Sequence, residues 1–500
     1  MVMRGAEISS FVAQFLSSPK RMLVDDNWVG ALSGKTFEVK NPATGETIAH
    51  VAEGDKVDVN RAVEAARRAF ESGPWSTMTP SERSKILWRI GDLISMYVDE
   101  LAELESLNNG KLVSVARVAD VPLSADIFHY MAGWCSKIEG KTIPLSVLYT
   151  PGARYHAYTR PEPIGVVGQI IPWNFPLLMA AWKLAPALAT GCTVVLKVAE
   201  ETPLSAIRLG EILQEAGVPG GVVNIITGFG ETAGAALAGH AGVDKVAFTG
   251  STEVGRLIVQ AAAHDLKHVS LELGGKSPNI ILEDADLDIA IPGATSAIFF
   301  NHGQACSAGS RLYVQERLFD KVVAGISDQA RSIKLGSGLD PATQMGPMVS
   351  KVQRDRVWNY IEAGRRAGAK AVAGGHALGG AGYFIEPTVF VNVKPEMKIV
   401  QEEIFGPVVT VAPFKDTDDE LIRQANDTIY GLAAGIWTRD LSKAHLLAAR
   451  LKAGTVWINC YNIFDAALPF GGYKQSGWGR EMGEAVLDNY LSTKAVTIAL

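Results

Sequence analysis

The chain has 500 residues, of which 47% are hydrophobic and 20% are charged, and its formal net charge at pH 7 is −6. This length predicts two or three domains, and the slightly acidic balance argues against nucleic acid or an anionic membrane as the main partner. No apolar run is long enough to span a bilayer, and the amino-terminal segment lacks the apolar core of a signal peptide. The four cysteines are widely spaced and form no C-x-x-C pair, which favours a reducing cytoplasm over disulfides or a thiolate metal site.

The first third of the chain combines turns, helices and a region of short strands. Helical periodicity runs over 57–70 and 80–107. Residues 139–160 alternate as exposed strands do, and the apolar tail 494–500 predicts one more strand beside them. We expect these pieces to form a small separate sheet. Because short apolar strands of this kind need a partner, we also expect an oligomer.

A regular alternation of strands and helices begins at Pro163. Buried strands are predicted at 164–171, 192–198, 222–227, 245–249 and 268–273. The helices between them are predicted at 176–190, 204–216, 231–239 and 252–264. Right-handed crossovers then build a parallel, doubly wound sheet with its ligand site at the carboxyl ends of the strands. A second α/β series runs from Ser277 to about Asn459, so the predicted fold class is α/β with a Rossmann-like sheet, a second α/β domain and a small β-flap.

The phosphate-binding candidate of the first sheet is the segment 248–255, since the sheet has no G-x-G-x-x-G motif. Gly250 predicts a tight strand-to-helix turn, and Ser251 can cap the next helix so that free N–H groups face a pyrophosphate. A capped helix that binds nothing would have the same sequence. Glu200 lies at another strand end, where its carboxylate can accept hydrogen bonds from both ribose hydroxyls of a dinucleotide and repel a 2′-phosphate. This favours NAD over NADP. An ordinary surface carboxylate would give the same sequence pattern. Lys197 follows an apolar run and needs a partner.

A cysteine among small residues is the strongest chemical signal in the chain. Cys306 lies in the segment 300–309, where Gly, Ala and Ser neighbours leave the sulfur accessible. Glu272 lies 34 residues earlier, in a similarly glycine-rich setting. A thiol nucleophile and a carboxylate base together can form and then hydrolyse a thioester. We expect Cys135 and Cys192, in apolar segments, to be core residues.

Six motifs in order along the chain resemble the aldehyde dehydrogenase superfamily. They are PWNFP (172–176), FTGST (248–252), LELGGK (271–276), GQAC (303–306), EEIFGP (402–407) and PFGGYKQSG (469–477). The resemblance runs from about Asn27 to the end of the sequence. Within the superfamily it points to the hydrolytic, NAD-preferring enzymes. The detailed sequence, including Tyr130–Trp134, is similar to that of bacterial phenylacetaldehyde dehydrogenases.

The resemblance implies that an aldehyde is oxidised to a carboxylic acid through a thiohemiacetal and a thioester on Cys306, with NAD as the hydride acceptor. It implies that Asn174 and the backbone N–H of Cys306 stabilise the oxyanion, and that Glu272 activates the hydrolytic water. Lys183 and Glu481 match a relay that carries the proton from Glu272 to bulk water. An ordinary lysine on a helix surface is also compatible with Lys183.

The family positions further imply a cofactor set and a substrate set. The cofactor set is Ile171, Trp173, Lys197, Glu200, Gly230, Phe248, Gly250, Ser251, Gly255, Leu273, Glu403 and Phe405, of which the last two match residues that hold the nicotinamide ribose and ring. The substrate set is Phe175, Leu178, Met179, Trp182, Tyr461, Ile463, Phe464 and Phe470. Its first four members share one helix face, which without the resemblance would be plain core. An apolar, aromatic-rich tunnel favours an aromatic aldehyde such as phenylacetaldehyde, with a medium-chain aldehyde or betaine aldehyde as the alternative.

The resemblance also implies a domain organisation. Residues 1–138 and 161–272 are expected to form the NAD-binding domain, 273–475 the catalytic domain, and 139–160 with 485–500 the oligomerisation flap of a homotetramer or homodimer. No metal, nucleic acid or membrane partner is expected.

Two rival functions fit the same fold. A CoA-acylating dehydrogenase would pass the acyl group to CoA, and Glu272 argues against it because that chemistry needs no base for water. A non-catalytic binding or structural protein is the rival of another class, since a fold alone does not determine function. The set of Cys306, Asn174 and Glu272 argues against this second rival.

Overall fold

The computed structural model describes residues 8–416 and 419–500. In these residues the strands are β1 (Met22–Val24), β2 (Asn27–Val29), β3 (Thr36–Lys40), β4 (Thr47–Ala52), β5 (Thr142–Ile143), β6 (Tyr155–Pro163), β7 (Val166–Ile170), β8 (Thr193–Lys197), β9 (Val223–Ile226), β10 (Lys245–Thr249), β11 (His268–Glu272), β12 (Pro278–Ile281), β13 (Arg311–Gln315), β14 (Lys370–Ala373), β15 (Thr388–Val391), β16 (Val408–Phe414), β17 (Ala433–Trp437), β18 (Thr455–Ile458), β19 (Gly477–Trp478) and β20 (Leu491–Ala499).

The helices of the described residues are α1 (Ser10–Leu16), α2 (Lys56–Glu71), α3 (Pro74–Thr77), α4 (Pro80–Met96), α5 (Val98–Asn109), α6 (Val113–Val115), α7 (Val121–Trp134), α8 (Pro176–Thr190), α9 (Leu204–Glu215), α10 (Ala235–Ala238), α11 (Thr252–Ala262), α12 (Leu287–Phe299), α13 (Phe319–Ser332), α14 (Lys351–Arg366), α15 (Lys398–Gln401), α16 (Asp419–Asn426) and α17 (Leu441–Arg450). Short π-helical turns occur at Ala116–Asp120 and Gly230–Gly234. No helix of the described residues is long and apolar enough to cross a membrane.

The first sheet has eight strands in the order β19-β11-β10-β7-β8-β9-β1-β2. Strands β7 to β11 pair in parallel, and β1 and β19 add antiparallel edges. One face packs on α8 and α9, and the other on α2 and α11. Because helices cover both faces, β7 to β10 are buried along their whole length. This is the doubly wound α/β arrangement that the strand–helix alternation predicts, and it places the strand ends after β7, β10 and β11 at one edge.

The second sheet has seven strands in the order β14-β15-β16-β13-β12-β17-β18. All neighbours pair in parallel except β14 with β15. Helices α12 and α13 pack on one face, and α16 and α17 on the other. Helix α12 runs into the segment that carries Cys306, so this sheet determines where the thiol lies.

A three-stranded antiparallel sheet in the order β20-β6-β5 stands apart from the two large sheets. The pairing between β20 and β6 runs from Leu491 opposite Pro163 to Ala499 opposite Tyr155. Most of its side chains are exposed or only partly buried. The strands expected in 139–160 and in the tail are therefore in one sheet, with β6 continuing to Pro163. The expected domain boundaries stay a prediction that this division into sheets supports.

Two of the predicted helices differ in detail from the structure. The helix expected over 80–107 is broken at Tyr97, because Asp99 and Glu100 stabilise a new helix start there. The helix expected over 231–239 begins with a π-helical turn between Gly230 and Gly234, since glycine weakens the regular α-helical preference. The other predicted elements of the first sheet lie within two residues of the observed bounds, and α8 has the predicted bounds.

Candidate active site

A cleft of about 1270 Å³, its mouth included, lies between the carboxyl edge of the first sheet and the loops of the second. It brings together most of the residues that the sequence singles out. Those that line it are Trp173, Asn174, Phe175, Leu178, Met179, Trp182, Gly250, Ser251, Glu272, Leu273, Cys306, Glu403, Phe405, Phe464 and Phe470. The candidate nucleophile, base, cofactor end and aromatic end therefore share one cavity.

The position of Cys306 follows from a sharp reversal after α12. Asn301 and His302 adopt left-handed backbone conformations, with φ of 47° and 60°. Gly303 follows at φ +70°, and a Cβ there would lie 2.1 Å from the carbonyl oxygen of Gly406. A Cβ on Gly275 would likewise lie 2.3 Å from the carbonyl oxygen of Cys306. The glycines thus let three backbone segments close around the thiol, which faces the cleft.

The electrostatic setting keeps both candidate catalytic acids neutral. Burial raises the pKa of the Cys306 thiol well above its usual range, and the carboxyl groups of Glu272 and Glu403 raise it further. Burial also raises the pKa of Glu272, and the charge of Glu481 adds to this, while Lys183 acts in the opposite direction. Buried carboxyl groups with raised pKa are typical of general bases, which must exchange a proton near neutral pH.

Asn174 is buried in the wall of the cleft, and its orientation is held by the loop of the thiol. Its Nδ2 donates to the carbonyl oxygen of Gln304 at 3.1 Å, which uses one of its two N–H groups. The backbone carbonyl oxygen of Asn174 accepts hydrogen bonds from the side-chain amides of Asn301, at 3.1 Å, and Asn109, at 3.4 Å. The second N–H of Asn174 is therefore available for a negatively charged oxygen formed next to Cys306.

Lys183 and Glu481 form an ion pair behind Glu272. The Nζ of Lys183 lies 2.5 Å from Oε1 of Glu481, and Lys183 has 0% exposure. Lys183 is therefore not an ordinary helix-surface lysine. Neither residue lines the cleft, and the coupling to Glu272 is through space within the protein interior.

The cofactor end of the cleft is built around Glu403. Its Oε1 accepts a hydrogen bond from the backbone N–H of Gly275 at 2.9 Å, and burial raises its pKa to about 7. A Cβ on Gly274 would lie 2.3 Å from Oε2 of Glu403, so only glycine leaves this shelf open. Phe405 has a left-handed φ of 59°, and its ring stands edge-on to Trp173 at 5.1 Å between centroids. An open glycine shelf beside a carboxylate and aromatic rings fits a ribose and a flat heterocycle.

Six residues of the predicted cofactor set lie outside the cleft lining. They are Ile171, Lys197, Glu200, Gly230, Phe248 and Gly255. Lys197 donates to Glu200 at 2.7 Å, so each charge has the other as its partner. Packing also requires glycine at two positions of the cofactor set, because a Cβ on Gly250 would lie 2.5 Å from the Phe248 ring and one on Gly255 would lie 2.7 Å from Leu273. Ser251 caps α11 by accepting from the N–H of Val254, as its place in the sequence predicts.

The substrate end of the cleft is an aromatic cluster. The rings of Trp182, Phe464 and Phe470 contact one another at 5.5 to 6.1 Å between centroids. Ile463 does not contribute, since it is 59% exposed and does not line the cleft. Tyr461 also lies outside the lining, and its hydroxyl donates to the carbonyl oxygen of Ser307 at 2.8 Å. Tyr461 thus steadies the loop of the thiol rather than shaping the tunnel.

Sequence reasoning missed several residues that line the cleft, namely Ala119, Asp120, Leu123, Phe300, Gln353, Arg356 and Asn462. Gln353 donates to the carbonyl oxygen of Phe405 at 2.7 Å and Arg356 donates to that of Glu403 at 3.1 Å, so both support the cofactor end. Asp120 pairs with Lys111, which is also 3.3 Å from Glu105. No local motif marks Gln353 or Arg356, because each is held by a contact with a segment far away in the sequence.

Comparison with known proteins agrees with this geometry. The profile described as "Aldehyde dehydrogenase family" matches residues 28–496. The chain is 51% identical over 486 residues to phenylacetaldehyde dehydrogenase of Pseudomonas fluorescens, covering 97% of each chain. It is 52% identical over 480 residues to the mitochondrial aldehyde dehydrogenase of Rattus norvegicus, covering 96% of this chain and 91% of that protein.

A solved structure of an aldehyde dehydrogenase from Bacillus cereus in complex with NAD+ matches the whole fold. It superposes with a TM-score of 0.96 at 53% identity and covers 99% of both chains. The chain therefore belongs to the aldehyde dehydrogenase family, and it is an NAD-dependent enzyme that oxidises an aldehyde.

Proposed function

We propose that the enzyme oxidises aromatic aldehydes such as phenylacetaldehyde to carboxylic acids. The observation that carries this proposal is the cluster of Trp182, Phe464 and Phe470 beside Cys306, which offers flat apolar surfaces for an aryl ring. Arg356 is the one basic residue among the described residues of the lining, and it donates to the carbonyl oxygen of Glu403. A substrate carboxylate would therefore lack a cationic partner at the aromatic end.

In the proposed first step, the sulfur of Cys306 adds to the aldehyde carbon and a thiohemiacetal forms. Burial and the nearby carboxyl groups favour the neutral thiol, so the sulfur must first give its proton to a water molecule of the cleft. The negative charge that develops on the aldehyde oxygen is proposed to be stabilised by the second N–H of Asn174 and the backbone N–H of Cys306. A donor of this kind contributes roughly 10²–10³ in rate.

We propose that Glu403, Phe405, Trp173, Leu273, Gly250 and Ser251, which line the cleft, hold NAD. We propose that the six cofactor positions outside the lining support that site: Ile171, Lys197, Glu200, Gly230, Phe248 and Gly255. Lys197 and Glu200 form a pair at the end of β8, Ile171 and Phe248 are buried, and Gly255 packs against Leu273. Gly230 is exposed, with open space where a Cβ would lie. When bound, NAD supplies the acceptor for the hydride of the aldehyde.

The last proposed step is hydrolysis of the thioester on Cys306. Glu272 takes a proton from a water molecule while the water oxygen adds to the acyl carbon. The carbon–sulfur bond then breaks, the carboxylic acid leaves, and the thiolate of Cys306 is regenerated. Glu272 must afterwards pass on its proton, and the Lys183–Glu481 pair behind it is the proposed route.

The test is a substrate panel followed by NADH absorbance. We expect kcat/KM to be higher for phenylacetaldehyde than for hexanal or betaine aldehyde, and the Cys306→Ala variant to form no NADH. Trp182→Leu should reduce the preference for the aromatic substrate about tenfold, which corresponds to one aromatic contact of about 1.4 kcal/mol.

Equal values for hexanal and phenylacetaldehyde in the parent enzyme would contradict the substrate proposal but not the family. A preference for betaine aldehyde would assign the rings to cation–π binding of a quaternary ammonium group. Acyl-CoA instead of free acid, formed in the presence of CoA, would overturn the proposed role of Glu272.

We further propose that the β5-β6-β20 sheet joins subunits into a homodimer or homotetramer. The neighbouring loop exposes Leu148 at 90% and Tyr149 at 88%, and Leu500 at the end of β20 is also exposed. Large exposed apolar side chains beside an open sheet edge favour burial against a partner. The four free cysteines favour a reducing compartment, for which we propose the cytoplasm.

A further inference from the structure

A row of buried polar side chains runs through the apolar layer between the first sheet and α8. Ala247 of β10 and Val167 of β7 pack on the α8 side of the sheet. Side chains two residues apart on a strand share a face, so Lys245 and Gln169 point to this side as well. Glu272 is opposite Thr249, which is on the same face of β10 as Ala247, and so it also points to α8. Thr249 is opposite Glu272 and lies four residues beyond Lys245, which separates the two ends of the row by about 13 Å along the strand.

The middle of the row is the Lys183–Glu481 pair. Lys183 uses Oε1 of Glu481, and Oε2 of Glu481 has no hydrogen-bond donor among the residues that the structure describes. Gln169 donates to the carbonyl oxygen of Lys183 at 2.6 Å. The pair is therefore fastened between the sheet and α8, with one carboxylate oxygen free to accept.

The far end of the row is Lys245, a lysine with 1% exposure. In the described part of the chain no carboxylate lies within ion-pair distance of its Nζ, which is 5.5 Å from the ring centroid of Tyr490. The charged and titratable groups that face it are Glu481, Lys183, Cys192 and Tyr490.

Such a site favours a neutral amine near pH 7. Burial lowers the pKa of Lys245 to about 7, and the charge of Lys183 lowers it as well, against the attraction of Glu481. The layer thus holds one buried acid, Glu272, and one buried amine, Lys245, on opposite sides of a single ion pair. Both ends favour their uncharged forms because charge is costly there.

We propose that Lys245 is the internal proton acceptor that returns Glu272 to its basic form, an inference that rests on the proposed role of Glu272 in hydrolysis. The ammonium of Lys183 gives a proton to Glu481, and the carboxylic acid of Glu272 returns a proton to Lys183 through a bridging water molecule, since the two side chains form no direct hydrogen bond. Glu481 then protonates the amine of Lys245 through a second bridging water molecule, because the two groups lie beyond ion-pair distance. One O–H bond is broken at Glu272, one N–H bond is formed at Lys245, and the number of protons in the layer is unchanged. Lys245 afterwards releases the proton to solvent at the amino end of β10.

The test follows the acyl-enzyme directly, with saturating NAD and phenylacetaldehyde on the full-length protein. Lys245→Met should keep the burst of NADH and slow the release of phenylacetic acid about tenfold at neutral pH, as expected for a lost proton acceptor. The slowing should be largest above about pH 7, where the amine of Lys245 is neutral and can accept a proton. Lys245→Gln keeps a polar end on the side chain and should show the same retained burst and slow acid release. It serves as the second variant if the methionine variant does not fold.

Lys245→Arg separates proton acceptance from charge alone. Arginine carries a positive charge but does not release or accept a proton at neutral pH, so acid release should stay slow if the proposal holds. Full recovery in Lys245→Arg would overturn proton acceptance and leave only a field effect. Unchanged acid release in both Lys245→Met and Lys245→Gln would overturn any role.

Lys267→Met is the matched control. Lys267 is also a buried lysine near the first sheet, but its Nζ donates to the carbonyl oxygen of His240 at 2.7 Å and pairs with Asp265 at 3.2 Å, outside the row. Its removal should leave acid release unchanged. Failure of the proposed function is seen separately, as an absence of acid from the parent enzyme or an unchanged Glu272→Gln variant.

Discussion

The two candidate catalytic acids, Cys306 and Glu272, illustrate how enclosure serves chemistry at the scale of single residues. Both are held in neutral form by burial, and each is needed in its deprotonated form at one step. The same low-polarity setting that raises their pKa strengthens every interaction made with the reacting atoms. Both acylation and hydrolysis are therefore expected to accelerate as pH rises through the neutral range.

Glu272→Gln separates these two steps. The amide has the shape of the acid but cannot take a proton, so the first burst of NADH should survive while hydrolysis falls about 10²-fold. Stopped-flow NADH absorbance and quenched product analysis measure the two phases. If the burst is lost together with the steady state, Glu272 acts in acylation as well, and the Glu272→Asp variant shows whether a carboxylate at shorter reach restores it.

His302 gives the fold a defined sensitivity to acid. It is buried beside the catalytic loop, and burial lowers its pKa from 6.5 to about 3. The unfolded chain therefore binds this proton at a higher pH than the folded one, so the free energy of unfolding falls as pH drops from 6.5 toward 3, by about 1.4 kcal/mol per pH unit from this residue. His302→Gln should remove that part of the slope in urea titrations. An identical pH slope in the variant would show that other groups dominate acid unfolding.

At the scale of elements, the start of α8 is held by a buried cluster of charges. Glu105 accepts from the backbone N–H of Leu177 at 3.1 Å, and Lys111 joins Glu105 to Asp120 in the cleft wall. The ring of Phe175 lies 4.4 Å from the Nζ of Lys111. The cluster thus fixes the position of α8, which carries the predicted substrate residues, because its contacts connect three separate segments of the chain.

Lys111→Met should leave two buried carboxylates without their partner and destabilise the protein by about 3–5 kcal/mol. Urea unfolding measures this loss. The triple variant with Glu105→Gln and Asp120→Asn removes the unpaired charges and should recover most of the stability, which identifies charge rather than packing as the cause. No recovery in the triple variant would assign the loss to the lysine side chain's packing instead.

At the scale of the whole molecule, two α/β sheets meet at one cleft and a third sheet projects away from both. The first sheet contributes its strand ends at Asn174, Gly250 and Glu272, and the second contributes the loops of Cys306 and Glu403. Neither sheet alone contains a complete site. The projecting β5-β6-β20 sheet adds nothing to the cleft lining, which is consistent with a role in assembly.

The assembly proposal predicts a molar mass in solution that is a multiple of the 53.4 kDa chain. Light scattering after size-exclusion chromatography measures it. The double change Leu148→Asp and Tyr149→Asp should weaken the assembly, since charges replace the exposed apolar side chains of the flap loop. The same pair of changes at the exposed Leu441 and Leu446 on α17 is the control. A monomer at micromolar concentration in the parent protein would contradict the proposal.

The sequence by itself determined the parallel sheet, the bounds of α8, the proline-flanked segment around Asn174 and the glycine-rich segments around Glu272 and Cys306. These features depend on local periodicity and on backbone space, which neighbouring residues express directly. Only the tertiary structure decided that Lys183 contacts Glu481 across 298 residues and that Asp120 enters the cleft wall. It also decided that Lys245 is buried with no carboxylate partner among residues 8–416 and 419–500. Such contacts join segments far apart in the chain, and the burial that gives them their chemistry exists only once the layers have packed.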